Sequence, residues 1–321
     1  MRILVLGGTR FVGWHLVRSL LASGHEVTVF HRGRHPSPFP EVEVRTGDRD
    51  GDLSSLSEGS WDRVIDVSGY TAPQLRRSVE LLGERVGGYV FISTTSVYRM
   101  PAPRGIDEGG ELKDADPGAS APYGEAKVAC EEVLAEELPE RRLVVRPGIL
   151  AGPRDYTDRL AYWCLRVRQG GRIVAPGAPE RPVQLLDARD LAAWMTGLIG
   201  EESAGVFNAV GPAEPTTMGS LLETISRVVD TRPEIVWASD SALDAAGADR
   251  SRELPFWVPE SHTAWFTIDA SRAWEHGLHP RPLEETVRDT LAWLDEEGRE
   301  LSDLESGPDP AREEELITRA S

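Results

Sequence analysis

The chain has 321 residues, 40% of them hydrophobic and 27% charged, which suits a soluble protein built as one large α/β unit or as a domain with a smaller partner. No apolar run is long enough to cross a bilayer, Met1 leads straight into a strand pattern where a cleaved signal would show a long apolar region, and two cysteines cannot form a disulfide framework, so a reducing cytoplasm is expected. A net charge of -18 opposes binding to nucleic acid and favours small-molecule partners.

In chain order, Arg2 to Leu6 reads as an apolar strand, followed by glycines and an amphipathic helix from Trp14 to Ala22. Strands are expected at Glu26 to Phe30, Val42 to Arg45, Arg63 to Val67, Tyr89 to Ile92 and Leu143 to Arg146, with helices at Gln74 to Arg85 and Tyr123 to Glu137 between them. This alternation predicts an α/β fold, a doubly wound parallel sheet of Rossmann type over residues 1–150. Residues 151–295 read as a smaller mixed α/β region for substrate, with elements returning to the sheet near 183–210. Helices are expected there at Asp190 to Gly200, Met218 to Val229 and Leu283 to Asp295, and strands at Val206 to Ala209 and Glu234 to Trp237. Ser239 to Glu253 reads as a polar loop and a candidate lid. Residues 296–321 hold nine acids and three arginines and read as a solvated acidic tail with one short helix from Pro310 to Arg319.

The first strand runs into Gly7-Gly8-Thr9-Arg10-Phe11-Val12-Gly13 and then a helix. Small residues let the backbone approach a pyrophosphate, and the helix N-terminus supplies free N–H groups and the positive end of its dipole. Arg10 stands where such a turn has its second spaced glycine, so it either crowds the backbone or lends its guanidinium to a phosphate. After the second strand, His31 and Arg32 occupy the place of the carboxylate that binds the adenosine ribose of NAD. An arginine there pairs with a 2′-phosphate, so NADP is the expected cofactor, with NAD the alternative and a solvated basic loop the bland reading. Asp48 is placed either to contact adenine or to close a turn, and His31 and His35 lack the partners a metal would need.

Tyr123 and Lys127 open a helix four residues apart, on one face. An ammonium beside a phenol favours the phenolate, which suits a tyrosine acting as general acid or base. With six tyrosines and two lysines in the chain, chance supplies about 0.04 such pairs, and 33 of the 35 basic residues are arginine, so a lysine here marks a place where a compact ammonium is wanted. Ser93-Thr94-Thr95-Ser96 follow the strand Tyr89 to Ile92 and fall at its carboxyl end, where open parallel sheets bind ligands.

Together the glycine turn, Ser93-Thr94-Thr95-Ser96-Val97-Tyr98 and Tyr123-Gly124-Glu125-Ala126-Lys127 resemble the extended short-chain dehydrogenase/reductase superfamily, the NAD(P)-dependent epimerase/dehydratase family. The resemblance runs to about residue 295 and takes in Arg146 to Pro153, Asp187 to Ala192 and Phe207 to Gly211. It implies that Tyr123 is the catalytic acid/base, that Lys127 holds the nicotinamide ribose and tunes the tyrosine, that Thr94 binds the reacting oxygen, and that Pro147 to Leu150 border the nicotinamide. Two positions depart from the pattern. Arg10 replaces a family glycine, a spelling similar to that of a subset including chloroplast stem-loop RNA-binding proteins, and Ile149 stands where sugar-nucleotide enzymes commonly carry an asparagine.

Three functions follow as expectations: an oxidoreductase-type enzyme moving hydride at a hydroxyl or carbonyl carbon of a small molecule, a sugar-nucleotide epimerase or dehydratase that recycles its cofactor, and a non-catalytic binding protein on the same fold. Asp155 to Arg159, Tyr162, Trp163, Phe256, Trp257 and His262 are candidates either for a substrate pocket or for caps and core, and Asp190 for a helix cap. The helices Gln74 to Arg85 and Tyr123 to Glu137 have apolar faces that fit a homodimer or packing within the chain.

Overall fold

Alternate residues of the first strand are both apolar, and each set has its own core to enter. In the computed structural model, which describes all residues except 35, 201–203, 213, 214, 251 and 321, Ile3 and Val5 join one hydrophobic cluster and Leu4 and Leu6 another on the opposite face. A strand covered on both sides must be apolar throughout, and that is why these segments read as unbroken runs.

The elements in order are β1 (Arg2–Leu6), α1 (Phe11–Ala22), β2 (Glu26–His31), β3 (Glu43–Thr46), β4 (Arg63–Asp66), α2 (Ala72–Leu82), β5 (Tyr89–Ile92), α3 (Tyr123–Glu137) and β6 (Arg142–Pro147). After them come β7 (Ile149–Ala151), α4 (Arg159–Gln169), β8 (Arg172–Pro176), β9 (Pro182–Val183), β10 (Leu185–Asp187), α5 (Ala188–Gly200) and β11 (Gly205–Ala209). The chain closes with β12 (Thr216–Thr217), α6 (Met218–Val229), β13 (Glu234–Ala238), α7 (Asp240–Ala245), α8 (Ser271–Glu275), α9 (Leu283–Glu296) and α10 (Pro310–Ala320).

Seven parallel strands form the main sheet in the order β11-β6-β5-β4-β1-β2-β3, the doubly wound arrangement expected. Its switch point lies between β1 and β4, so the loops after these strands open one crevice. Of the returning segment, β11 joins this sheet beside β6, while β10 pairs with β7 and α5 packs on α1. The apolar faces of α2 and α3 are buried in the chain's own core, through Leu75, Val79, Leu82, Ala129, Val133 and Leu134.

Two expectations fail beyond β11. Ser239 to Glu253 is not all loop: Ser239 caps α7 by accepting the Ala242 N–H, Leu243 is buried, and Asp240 takes a bidentate pair from Arg181 and a bond from Trp257 Nε1. The tail is not solvated either. In α10 Glu313, Leu316 and Ile317 form an inward stripe of helical spacing that packs on β8, β13 and α7, and Arg166 Nε meets Glu313 Oε2 at 2.8 Å in a buried pair. This second core gathers Trp163, Leu221, Phe256, Trp257, Leu294 and Leu316.

Candidate active site

The glycine turn has the backbone a dinucleotide needs. Gly7 and Gly8 lie at φ +106° and +93°, and a Cβ on Gly7 would come 2.5 Å from Val67 Cγ2. A Cβ on Gly13 would fall 2.7 Å from Gly8 Cα, so the third glycine sets how closely α1 approaches the strand. The helix begins at Phe11, three residues before the expected start, because Phe11 takes φ +36° and turns the chain into the helix without a capping side chain. Among the described residues the first N–H groups of α1 therefore have no side-chain acceptor, and no acid stands in its first turn. Thr9 lies within this turn and Val12 in the first turn of α1. Arg10 lays its guanidinium against an aromatic ring, with Cζ 4.3 Å from the ring centroid of Tyr156. Among the described residues neither Arg10 nor Arg32 has a carboxylate within 4.0 Å, and both cations act on Tyr70. Arg32 is exposed. Asp48 closes a turn, with Oδ1 accepting the Asp50 N–H at 3.0 Å, and an adenine contact gains no support from that geometry. His35 lies outside the described residues, and among those described there is no group of metal-ligating side chains.

Thr94 leaves β5 at its carboxyl end, where its Oγ1 accepts the Ser96 N–H at 3.1 Å and its hydroxyl is near enough to the phenol of Tyr123 to favour the phenolate. Gly124 permits that meeting, since a Cβ there would run into the Ser96 carbonyl. Tyr123 is 51% exposed, whereas Lys127 is buried, with Nζ donating to the Gly69 carbonyl at 2.7 Å and the Ile92 carbonyl at 2.8 Å. The ammonium stands 5.8 Å from the Tyr123 ring centroid and 5.4 Å from that of Tyr70. Burial brings Lys127 down to about 8, partly offset by Asp66. The phenol departs from expectation: desolvation by the cleft walls, then Tyr70, push Tyr123 up to about 12, with the Thr94 hydroxyl pulling the other way. The lysine, turned to two backbone carbonyls, is not among the largest influences on the phenol, and Tyr123 stands protonated at neutral pH.

Beneath these groups runs a buried polar network that the sequence reading missed. Ser93 Oγ donates to Glu131 Oε1 at 2.5 Å, Arg146 holds Glu131 through Nε and Nη2 at 2.6 to 3.2 Å, Arg146 Nη1 reaches the Tyr98 hydroxyl at 3.0 Å, and Tyr98 donates to Asn208 Oδ1 at 2.6 Å. One chain of bonds thus fixes β5, α3, β6 and β11 to one another. Glu131 lies on the same face of α3 as Tyr123 and Lys127, the signal that could have found it. A second cluster joins Asp66 to Arg49 Nη1 at 2.6 Å and to the Tyr89 hydroxyl at 2.8 Å. Asp66 closing an apolar strand was its signal. Pro147 is buried at the end of β6 opposite Ala209.

From the second half the loop 152–158 and Arg159 at the start of α4 reach the site. Tyr156, 48% exposed, lies 6.3 Å from Phe11 in edge contact as well as against Arg10, and Arg159 acts on the Tyr123 phenol. Tyr162, Trp163, Phe256 and Trp257 are packed in the second core instead of lining a pocket, and His262 bonds Ser261 at 2.8 Å. Asp190 is not the helix cap. It takes Arg281, while Asp187 Oδ1 accepts the Arg189 N–H at the start of α5. Cys130 and Cys164 are free, and burial pushes both thiols up to about 12. Among the described residues no helix is long and apolar enough to cross a membrane.

Residues 3–72 and 76–238 match the family model described as "NAD dependent epimerase/dehydratase family". The chain is 28% identical over 275 residues to the chloroplast stem-loop binding protein of 41 kDa b of Arabidopsis thaliana, covering 79% of this chain and 70% of that one. It is also 28% identical over 263 residues to the 2-alkyl-3-oxoalkanoate reductase of Stenotrophomonas maltophilia, covering 71% and 76%. Its fold is that of the UDP-glucose 4-epimerase of Thermus thermophilus, solved in complex with NAD, with a TM-score of 0.69 at 19% identity over 92% of this chain and 99% of that one.

Proposed function

The chain belongs to the NAD dependent epimerase/dehydratase family, and from that premise we propose that it is an NADP-preferring oxidoreductase-type enzyme acting at a hydroxyl or carbonyl carbon of a small molecule. One observation carries the proposal: Tyr123, Thr94 and Lys127 meet at the carboxyl ends of strands beside a turn whose glycines and uncapped helix fit a dinucleotide. When bound, the nicotinamide supplies or accepts the hydride.

The chain's own groups do the rest. Thr94 holds the substrate oxygen next to Tyr123. A phenol that keeps its proton at neutral pH donates it to the oxygen of a carbonyl being reduced and receives it back in the reverse direction. Lys127 has two of its three N–H groups on carbonyls, which leaves one donor for a ribose hydroxyl. Arg10 and the first N–H groups of α1 take the pyrophosphate, and Arg32, exposed and without a carboxylate, takes a 2′-phosphate. The two free, buried thiols suit a reducing cytoplasm.

The test is turnover of a panel of aldehydes and ketones with NADPH, followed by loss of the reduced-nicotinamide absorbance. Oxidation of one NADPH per product supports the reading. Conversion of a sugar nucleotide with no net change of cofactor replaces it with the recycling scheme, which the fold shared with an epimerase favours. The name of the Arabidopsis relative favours stem-loop binding, and a charge of -18 opposes binding to nucleic acid, so no gel shift with an RNA stem-loop is expected even at low salt.

A further inference from the structure

The loop 152–158 is held on both sides. Toward α1, His15 Nε2 donates to the Pro153 carbonyl at 2.9 Å, Arg154 lies 4.2 Å over the Trp14 ring, and Tyr156 meets Arg10 and Phe11. Toward the C-terminus, Asp158 is buried at φ +57° and its two oxygens accept Arg299 Nη1 and Nη2, each at 2.9 Å. Asp158 Oδ2 also accepts the Glu305 N–H at 3.0 Å, and Ser306 Oγ donates to the Thr157 carbonyl at 2.7 Å. All three tail residues lie beyond the segments that match the family model.

We propose that this C-terminal segment is a working part of the dinucleotide site: Arg299 and Ser306, acting through Asp158 and Thr157, hold the 152–158 loop against the first turns of α1 and keep Tyr156 beside Arg10. They are positioning residues and touch no ligand themselves. A bidentate arginine is suited to the task, because its planar fork fixes the direction of a carboxylate as well as its charge. Tyr156 is otherwise half exposed, so the order of its ring against Arg10 depends on the anchors at the ends of the loop. The inference rests on the reading that the glycine turn binds a dinucleotide. Linkage then makes the effect reciprocal: what the tail contributes to cofactor affinity, bound cofactor returns as order in the tail.

The experiment compares NADPH affinity by isothermal titration in the full chain and in two variants. Arg299→Gln cuts the tail from Asp158. Glu313→Gln loosens α10 at Arg166 and leaves Asp158 untouched. Arg299→Gln is expected to weaken NADPH binding about fivefold or more, the low end of coupling between sites, while Glu313→Gln leaves it unchanged even at a similar loss of melting temperature. In the wild type, NADPH is expected to slow amide hydrogen exchange across residues 299–307. If Arg299→Gln does not fold, Ser306→Ala removes a single hydroxyl and is expected to weaken binding about twofold. Wild-type affinity in Arg299→Gln, equal weakening in Glu313→Gln, or exchange in 299–307 indifferent to NADPH overturns the role of the tail alone. A wild type that binds neither NADPH nor NADH overturns the reading of the glycine turn, and the inference with it.

Discussion

The sheet half and the C-terminal half each contain a buried arginine–glutamate pair, Arg146 with Glu131 at 2.6 Å and Arg166 with Glu313 at 2.8 Å, and the two pairs serve different ends. In the sheet half the carboxylate sits on the helix face that carries Tyr123 and Lys127, and its further partners are Ser93, next to Thr94, and, through Arg146, Tyr98. Charge is buried there to set reactive groups in register. In the C-terminal half the pair joins residues 147 positions apart and closes a segment over a second core. Removing one partner strands a charge in an apolar setting, so both pairs are costly to break, but only the first lies against the groups that do the chemistry.

Breaking the site itself gives the largest effect. Tyr123→Phe is expected to lower kcat about 10²- to 10⁴-fold, the usual value of a general acid, with an unchanged unfolding midpoint. Activity within a factor of two of wild type would remove Tyr123 from the reaction. Next, Glu131→Leu is expected to lower stability by about 3–5 kcal/mol, because Arg146 is left buried without its partner. Glu313→Leu sharpens the contrast: urea titration is expected to show about 3 kcal/mol lost, whereas a change of about 0.5 kcal/mol or less would return the C-terminal segment to a solvated tail.

A pH profile separates the two halves by function. Lys127 stands near 8 in the folded chain, so the fraction of charged ammonium falls as pH rises through that value, and the alkaline limb of kcat/KM is expected to centre near pH 8. A limb at 10 or above would mean that Lys127 keeps its ordinary affinity for the proton or has no part in turnover. The smallest effect is at Arg32, where substitution by alanine is expected to reduce the ratio of NADPH to NADH affinity about tenfold, as the loss of one charge-assisted hydrogen bond would.

How far the sequence could be read follows the same division. β1, α3 and α6 match the expected bounds residue for residue because their ends are punctuated: glycines follow the apolar run of β1, Pro122 precedes α3, and Thr217 with Ser220 forms a capping box on α6. α1 begins early because its start depends on a left-handed Phe11 where no capping residue announces it. The candidate site was legible as a set of residues and opaque as a network. Glu131 and Asp66 look like ordinary solvated acids until their partners arrive from β6 and from Arg49. Composition misled at α10, where nine acids across residues 296–321 masked the stripe of Glu313, Leu316 and Ile317. Tyr123 shows the limit most directly: a four-residue spacing places its ring near an ammonium and says nothing of the two carbonyls that claim it.

The most direct test is thermal unfolding with each dinucleotide. NADPH at a hundred times its Kd is expected to stabilise the native chain by about 2.7 kcal/mol, and at equal concentrations to raise the melting temperature more than NADH does. A larger shift with NADH would contradict the role given to Arg32, and no shift with either dinucleotide would contradict the account of the glycine turn as a cofactor site.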